Sequence, residues 1–503
     1  MTTNSERLAK WLPSFTDIAF AMPLVFVFAG MQGARTLLGD GDTGWHIRAG
    51  DWMLANGAVP RTDLFSYTRA GAPWFAWEWG WDVVFAWLHR HGGLAAVVAA
   101  SLLVIAAVSA LVYRLARRRA GSAVLALPLA IAATAAMSFH WLARPHLFTL
   151  LFAAVFLLVL ERAAEGRVRL LWVLAPLTAL WTNLHGGFFV GIVLVAAYGV
   201  RRGAWPWVAA AAGCALASLA NPYGWRLHLH IFGYLTDPYL YQHIAEFRSV
   251  NFQHPAARFF ELLYALGAAA ALWSAWRRRW TDALLIALWG HLALCAGRNI
   301  AVYAVVAAPG MAQCLAEWLD ALRPGWRAAA AGFDALDRAV RVPLWGPAVL
   351  LAASALMLAP NPPDRFRAEY CARRYPVAAA AHANGRVFTD DEWGDYLIYR
   401  GFPAQRVFVD GRSDFYGAAF GRKYLDVLRV QPGWEEHLRG YGVDVILLSP
   451  ARPLAGALKE SARWRAVYDD GVAIVFRARG PEATQEATGD REIATTAKRR
   501  ERS

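Results

Sequence analysis

Long apolar runs recur along the first 360 residues of this chain, and they restrict its possible folds more than any other feature. A helix needs about 20 mainly apolar residues to cross the hydrocarbon core of a bilayer, and its backbone groups must be paired within it. The sequence therefore predicts a polytopic α-helical membrane protein with about 11 transmembrane helices. The predicted spans are 16–38, 92–113, 121–139, 145–162, 168–183, 187–200, 204–220, 257–276, 280–296, 299–316 and 343–360.

The composition agrees with lipid as the main solvent of the chain. Hydrophobic residues make up 57% and charged residues 18%, whereas a soluble domain carries about 25% charged residues. The net charge is +13, but the arginines cluster at the ends of the apolar runs, as at 114–119, 201–202 and 277–279. Charge in these places sets membrane topology. We therefore expect membrane lipid as a partner and no nucleic acid.

The arginine-rich loops all fall on one side of the predicted membrane. Loops rich in Lys and Arg face the cytoplasm, which places the N-terminus there and everything after residue 360 outside. The opposite loops are rich in His, Asn, Asp, Glu and Trp, and we expect them to be extracytoplasmic. These outer loops are 39–91, 140–144, 184–186, 221–256 and 297–298.

A change in composition at Pro360 marks a second domain. Charged residues become frequent after it, and short apolar runs at 386–389, 406–409, 443–448 and 472–476 are separated by amphipathic stretches. Alternating strands and helices predict a small α/β domain. The predicted domains are a membrane domain at 1–360 that includes the first outer loop at 39–91, an extracytoplasmic α/β domain at 361–480, and a disordered tail at 481–503.

The first outer loop has the most distinctive sequence in the chain. Asp40 and Asp42 alternate with glycines directly after the first span, and Trp45 and His46 follow. The glycines permit tight turns. One interpretation is that the two carboxylates cap a helix that begins near Trp45. The other is that they belong to a site at the membrane surface, where His46 would orient a carboxylate or contact a phosphate.

Polar and ionisable groups recur in the other outer loops. Such groups are costly near membrane depth and usually serve a site or a pathway. A single histidine there is more often a structural partner than a ligand, but the common sidedness favours a shared site. We expect Asp42 to share one cavity with at least two of three basic residues, His185, Arg248 and Arg298. Further polar groups on this side include His140, Arg144, His146, Asn183, Arg226, Glu246 and Asn299.

On these residues the chain resembles the GT-C superfamily of integral membrane glycosyltransferases. The resemblance rests on Asp40 and Asp42 after the first span, the amphipathic helices of that loop, the multi-span body and the C-terminal extracytoplasmic domain. The string Asp-x-Asp-x-x-Trp-His at 40–46, with Pro-x-x-Asp-x-Phe-Ser-Tyr at 60–67, is similar to a largely uncharacterised bacterial branch. The resemblance implies a bacterial cytoplasmic membrane, a sugar donor on a polyprenyl phosphate or diphosphate, and an envelope glycan or lipid as acceptor.

By this resemblance, the first-loop carboxylates are the catalytic candidates. An acceptor hydroxyl needs a general base, and Asp42 is the first choice because it is nearest to the helix start, with Asp40 second. Some relatives use a divalent cation, Mg or Mn, for which Asp40, Asp42 and Glu78 would be ligands. The leaving phosphate needs cations or hydrogen-bond donors. The candidate substrate-binding residues are His46, Glu78, Arg144, His185, Arg248, Arg298 and Asn299.

Three other classes of function stay open. A hydrolase of membrane-bound substrates is one of them, although the sequence has no Gly-x-Ser-x-Gly elbow and no His-Glu-x-x-His zinc motif. A flippase or transporter of lipid-linked saccharides predicts ionisable residues through the membrane midplane and paired broken helices, whereas here these residues gather at one face. A non-catalytic envelope assembly protein predicts no pocket beneath the first outer loop. The acidic loops 390–395 and 410–417 follow predicted strands, and turn chemistry is the preferred interpretation of both. The C-terminal domain has no Trp-Trp-Asp acceptor motif, so transfer to protein is not expected.

Overall fold

The computed structural model describes residues 12–200, 205–254, 256–339 and 343–479. The predicted disordered tail at 481–503 lies outside these residues. In chain order the helices are α1 (Phe15–Val25), α2 (Asp42–Asn56), α3 (Trp79–Ala120), α4 (Ala123–Met137), α5 (His146–Ala164), α6 (Leu174–Thr182), α7 (Phe189–Val200), α8 (Trp205–Ala217), α9 (Trp225–Thr236), α10 (Pro238–His243), α11 (Ala257–Trp276), α12 (Trp280–Cys295), α13 (Asn299–Leu322), α14 (Trp326–Ala339), α15 (Trp345–Leu358), α16 (Asp391–Gly401), α17 (Ser413–Leu428), α18 (Trp434–Gly440) and α19 (Pro453–Glu460).

Contacts within the chain divide it into two compact units. Unit 1 contains Met1–Leu38 and Trp77–Glu369, and unit 2 contains Gly39–Ala76 and Tyr370–Ser503. The sequence places the whole first outer loop with the membrane domain. In the structure, most of that loop instead shares a unit with the C-terminal domain.

Unit 1 carries an apolar helix at the position of every predicted span. Six of these helices have 10–17 residues, so the number of membrane crossings stays a prediction. The largely helical architecture with apolar helices of spanning length is confirmed. Within the described parts of the chain, five helices are long and apolar enough to cross a membrane by themselves, namely Trp79–Ala120, Ala123–His140, His146–Ala164, Ala257–Trp276 and Asn299–Leu322.

Helix α3 has two parts separated by a pair of glycines. Gly92 and Gly93 have non-helical dihedral angles, and the φ of Gly93 is +59°, in the left-handed region that favours glycine. The part before the break carries exposed Val84 and Trp87, and the long apolar run follows the break. The predicted span that starts at residue 92 therefore begins at this break, and the turns before it belong to the outer loop.

Buried ion pairs join the helix ends next to the arginine-rich loops. Near the end of α3, Arg119 Nε lies 2.9 Å from Glu161 Oε2 of α5, and its Nη2 lies 2.9 Å from Asp282 Oδ1 of α12. The Tyr198 hydroxyl of α7 donates a hydrogen bond to Glu161. A buried charge that loses its partner is strongly destabilising. These contacts therefore hold four helices in one arrangement.

Replacing Arg119 by alanine should lower the free energy of unfolding by about 3 kcal/mol, because Glu161 and Asp282 would keep partly buried charges without their cation. The neighbouring Arg118 pairs with Glu165 at a more exposed position, so Arg118→Ala should cost at most about 1 kcal/mol. Thermal unfolding of both variants in the same detergent measures the difference. Equal losses would contradict the role given to Arg119.

Unit 2 is built on a four-stranded mixed sheet with the strand order β1-β2-β4-β3. Its strands are β1 (Val387–Thr389), β2 (Val445–Leu448), β3 (Trp464–Asp469) and β4 (Ile474–Ala478). Strand β1 runs parallel to β2, with Val387 opposite Val445, while β4 is antiparallel to both β2 and β3. Helices α16, α17 and α18 lie between β1 and β2 in the chain, and α19 lies between β2 and β3. The small C-terminal sheet predicted from the sequence is confirmed.

Two details of the sheet differ from the predicted strands. The run 406–409 forms only isolated bridges, from Val407 to Val387 and to Ser66 of the first outer loop. Strand β3 is absent from the predicted strands because it is an edge strand with mostly exposed residues. An edge strand of this kind has no need of the apolar run by which buried strands are recognised.

Within unit 2, helix α2 packs closely on α16 because two glycines permit it. A Cβ atom on Gly41 would lie 2.4 Å from the carbonyl oxygen of Glu392, and one on Gly44 would lie 2.7 Å from the Cβ of Tyr399. Both distances are shorter than real van der Waals contacts. The glycines around Asp42 therefore permit close packing between α2 and α16, in addition to the tight turn that the sequence predicts.

Candidate active site

Asp42 is the first residue of α2, and it is 9% exposed. Its Oδ1 accepts a hydrogen bond of 3.2 Å from the indole Nε1 of Trp45. Asp40 uses its own Oδ1 to accept the backbone N–H of Asp42 at 2.8 Å, a local bond of the kind that fixes a helix start. The capping interpretation therefore fits Asp40 better than Asp42.

His46 lies one turn after Asp42 on the same helix and is buried. Its ring stacks on that of Trp45, with 3.6 Å between the ring centroids. The structure therefore places three predicted site residues, Asp40, Asp42 and His46, at one end of α2.

Asp395 of α16 brings another carboxylate next to Asp42. It is fully buried, and its Oδ1 accepts the backbone N–H of Gly411 at 2.9 Å. In the described part of the chain, its Oδ2 has no hydrogen-bond partner. A Cβ atom on Gly411 would lie 2.2 Å from Asp42 Oδ1 and 2.8 Å from Asp395 Oδ2, so these two oxygens are within about 5 Å of each other. Any side chain at position 411 would clash with both carboxylates, so their arrangement requires glycine there.

The electrostatics of Asp395 reflect this crowding of acids. Burial raises the pKa of Asp395 well above its ordinary value, and the charges of Asp42 and Asp410 raise it further. Two neighbouring carboxylates in a desolvated place do not both stay ionised without a compensating positive charge. The two carboxylates can therefore share one proton, or they can bind a cation instead of that proton.

Arg412 neutralises a different pair of carboxylates in unit 2. Its Nη2 lies 2.7 Å from Asp63 Oδ1 and 2.7 Å from Asp410 Oδ2, and these side chains are at most 2% exposed. The Tyr416 hydroxyl donates to Asp410 at 2.8 Å, and the guanidinium lies 4.6 Å from the ring centroid of Trp74. The acidic loop at 410–417 is therefore largely structural, and Arg412 is committed to Asp63 and Asp410.

In unit 1, Glu246 holds two of the predicted substrate-binding arginines. Arg144 Nη1 lies 3.3 Å from Glu246 Oε2, and Arg298 Nη1 lies 3.5 Å from Glu246 Oε1. His140 Nε2 is 3.6 Å from the same carboxylate. Burial alone would raise the pKa of Glu246, but Arg144 and Arg298 lower it to about 2. Glu246 is thus ionised at neutral pH, and two arginines share its single negative charge.

His185 lies within electrostatic reach of these arginines and is held as a neutral ring. Its Nδ1 accepts the backbone N–H of Gly187 at 3.0 Å, so the ring proton is on Nε2, which is 3.4 Å from Glu78 Oε1. Burial, together with the positive charges of Arg298 and Arg144, lowers the pKa of His185 to about 3. His185 can therefore donate a hydrogen bond through Nε2 without carrying a charge.

Two predicted binding residues of unit 1 have other surroundings. The side chain of Arg248 is exposed, and its carbonyl oxygen accepts the N–H of Gly297 at 2.9 Å. Asn299 Nδ2 donates to the carbonyl oxygen of Leu292, at 3.0 Å, near the end of α12. The structure therefore groups Arg144, Arg298 and His185 with Glu246, while the described contacts of Arg248 and Asn299 are with the backbone.

The residues that the structure describes include no group of three or more His, Cys, Asp or Glu side chains arranged to hold a metal ion. Glu78, expected as a ligand with Asp40 and Asp42, faces His185 within unit 1. Asp42 and Asp395 offer hard oxygen ligands, which Mg²⁺ and Mn²⁺ prefer. The unpartnered oxygen of Asp395 and the acidic surroundings fit a divalent cation.

Glu246 and Asp395 are central to these two clusters, and neither is among the binding candidates that the sequence offers. The available signal for Asp395 is its neighbour Gly394, a glycine inside a helical pattern, which usually has a packing reason. A Cβ atom on Gly394 would lie 2.1 Å from the carbonyl oxygen of Val409. The close approach of α16 to the 406–409 segment sets Asp395 beside Gly411.

No protein-family model matches the sequence, and no curated protein matches it either. Solved structures do match. The crystal structure of the Archaeoglobus fulgidus oligosaccharyltransferase in the apo form has a TM-score of 0.54 and 13% identity, covering 86% of this chain and 69% of that chain. Archaeal oligosaccharyltransferase AglB from Archaeoglobus fulgidus, in complex with an inhibitory peptide and a dolichol-phosphate, has a TM-score of 0.56 and 12% identity, covering 91% and 73%.

A likeness at this level of identity shows the fold. It covers most of both chains, and both neighbours are oligosaccharyltransferases. Together with the apolar helices of unit 1, it supports a membrane location and agrees with the fold expected from the sequence. The chain has the fold of these oligosaccharyltransferases.

Proposed function

We propose that the protein is a membrane glycosyltransferase that moves a sugar from a polyprenyl phosphate or diphosphate to an extracytoplasmic envelope acceptor. The observation that carries the proposal is a buried first-loop carboxylate, Asp42, on a GT-C fold. One neighbour is in complex with a dolichol-phosphate, and we infer a donor of the same class here, a long isoprenoid phosphate. From the distribution of arginines, we place the protein in a bacterial cytoplasmic membrane with the C-terminal domain outside.

Asp42 is assigned the role of general base. The acceptor hydroxyl gives its proton to the Asp42 carboxylate while its oxygen forms the new bond to the anomeric carbon of the sugar. The bond between that carbon and the phosphate oxygen breaks, and the lipid phosphate leaves with the electron pair. The indole of Trp45 fixes the position of Asp42. Asp40 is the second choice because its carboxylate already accepts the N–H of Asp42.

Arg144 and Arg298 are assigned to the phosphate of the donor. Glu246 neutralises one of their two charges and holds both guanidinium groups, which leaves one net positive charge for an anion. The Nε2–H of His185 adds a neutral donor. Preorganised donors of this kind stabilise the charge that develops on the leaving phosphate. A divalent cation would add Lewis-acid stabilisation of the same charge.

Asp42→Asn should lower sugar transfer by at least about 100-fold, because the amide cannot accept the acceptor proton. The matched control is Asp51→Asn on the same helix, where the carboxylate pairs with Arg48 at 3.0 Å. The measurement compares envelope glycans and lipid-linked sugars in cells that carry either variant at wild-type protein levels. An unchanged set of glycoforms in Asp42→Asn cells would remove the transferase proposal, and a loss of donor export alone would favour a flippase.

Arg298→Gln should lower the transfer rate by about 100-fold, since one of the two arginines near the leaving phosphate is lost. The control is Arg258→Gln, an exposed arginine near the start of α11, which should stay within about twofold of wild type. Single-turnover transfer in membranes with saturating acceptor gives both rates. If the two substitutions have the same effect, Arg298 has no special role in binding the phosphate.

A further inference from the structure

We propose that helix α9 lies in the membrane interface and binds the hydrocarbon of bilayer phospholipids through Trp225, Leu229 and Phe232. These three residues are called the α9 ridge below. The helix runs from Trp225 to Thr236 in unit 1, inside the loop 221–256 that the sequence assigns to the outer side. The lipid contact is independent of any enzymatic activity, whereas its consequence for a lipid-linked donor rests on the proposed function.

The α9 ridge is a strip of large apolar side chains with no cover among the described residues. Its members are spaced by four and three residues, so they share one face of the helix. Trp225 is 62% exposed, Leu229 60% and Phe232 68%. On the opposite side, Leu227 and Ile231 are buried against the rest of unit 1. An exposed strip of this kind on a packed helix marks a surface that meets another apolar medium.

The end of the preceding helix places the α9 ridge at the edge of the bilayer. Helix α8 has 13 residues, which make it about 20 Å long, shorter than the hydrocarbon core of about 30 Å. The end of α8 therefore stays near the edge of that core. Leu216 in its last turn and Leu219 in the following turn are exposed. The α9 ridge thus continues an apolar surface that begins on a membrane helix.

The turn between the two helices keeps α9 close to this edge. The side chains of Ser218 and His228 are hydrogen-bonded, with 2.8 Å between Oγ and Nε2. Asn221 Nδ2 donates to the carbonyl oxygens of Ser218 at 2.9 Å and of Gly224 at 3.2 Å. The N–H of Tyr223 donates to Asn221 Oδ1 at 2.8 Å. These bonds fix the first turns of α9 against the end of α8.

The start of α9 has the side chains that are typical of the boundary between headgroups and hydrocarbon. Tryptophan is enriched at this boundary because its ring is amphipathic, and Trp225 is the first residue of the helix. Arg226 follows it and is exposed. A long arginine side chain can keep its apolar part in lipid and extend its charge to the phosphates. This pair of residues favours phospholipid over a second protein as the partner of the ridge.

The inner side of α9 contacts the arginine cluster of unit 1. The Tyr234 hydroxyl lies 3.5 Å from Arg298 Nη1. The ring of Trp77 packs edge-on against Tyr234, with 5.4 Å between the ring centroids, and against His230, with 5.0 Å. Helix α9 therefore joins a lipid-facing ridge to Arg298. In the proposed function, the ridge sets Arg298 at the depth where the phosphate of a lipid carrier lies while its tail stays in the bilayer.

Nitroxide labels on the α9 ridge test the lipid contact in the full-length protein, reconstituted in vesicles of phosphatidylethanolamine and phosphatidylglycerol. The labels are attached at Leu229→Cys or Phe232→Cys after Cys295→Ser and Cys371→Ser. Molecular oxygen concentrates in hydrocarbon and a nickel chelate stays in water, so we expect oxygen to relax both ridge labels more strongly than the chelate does. The control is Gln253→Cys, an exposed polar position of the same loop, where the order should be reversed.

Two outcomes of this measurement would overturn the proposal. Stronger relaxation by the nickel chelate at Leu229→Cys and Phe232→Cys would place the ridge in water. Protection of both labels from oxygen and from the chelate would show that protein, such as a second copy of the chain, covers the ridge. Unfolding temperatures equal to that of the unlabelled protein exclude misfolding as the cause, since both substituted side chains are exposed.

The role of the ridge in placing Arg298 has a separate test. Phe232→Asp puts a charge into the hydrocarbon edge and should draw α9 outward, so sugar transfer should fall at least about threefold. Phe232→Leu keeps an apolar side chain and should stay within about twofold of wild type. Unchanged transfer in Phe232→Asp would contradict the role of the ridge in the reaction. The label measurement needs no sugar transfer, so its result stands even if Asp42→Asn cells have unchanged glycans.

Discussion

Arg412 lies buried between two carboxylates from distant parts of the chain. Asp63 precedes it by 349 residues, and Asp410 precedes it by two. Removing one charge of such a group leaves the others unpaired at a high cost, so the first outer loop and the C-terminal domain fold as one unit. The candidate site depends on this, because Asp42 comes from the loop, whereas Asp395 and the neighbouring Gly411 come from the domain.

The two units use opposite arrangements of charge. In unit 2, one arginine is shared by Asp63 and Asp410, and further carboxylates remain beside them. In unit 1, one glutamate is shared by Arg144 and Arg298. The first arrangement leaves an excess of negative charge and the second an excess of positive charge. In the function proposed above, the negative charge of unit 2 would accept a proton, and the positive charge of unit 1 would stabilise a leaving phosphate.

The helices of unit 1 could be predicted because the length of an apolar run is a local property. The position of Asp40 and Asp42 at the start of a helix could also be predicted from the loop, whereas the side of the membrane on which the polar groups gather stays a prediction. The position of Asp395 beside Asp42 could not be predicted, because it results from the packing of α2 on α16 through Gly41 and Gly44. The edge strand β3 could not be predicted either, because its mostly exposed residues form no apolar run. The meeting of Asp42 with His185 and Arg298 in one cavity stays a prediction.

The buried contacts of Arg119 impose an order on assembly. Asp282 is synthesised 163 residues after Arg119, whereas Glu161 lies on α5, two helices after the start of α3. A nascent chain that has reached only α7 thus holds an arginine with one of its two acidic partners. The arginine gains full compensation only when α12 arrives. The two ion pairs of Arg119 are therefore complete only after more than half of the protein has been synthesised.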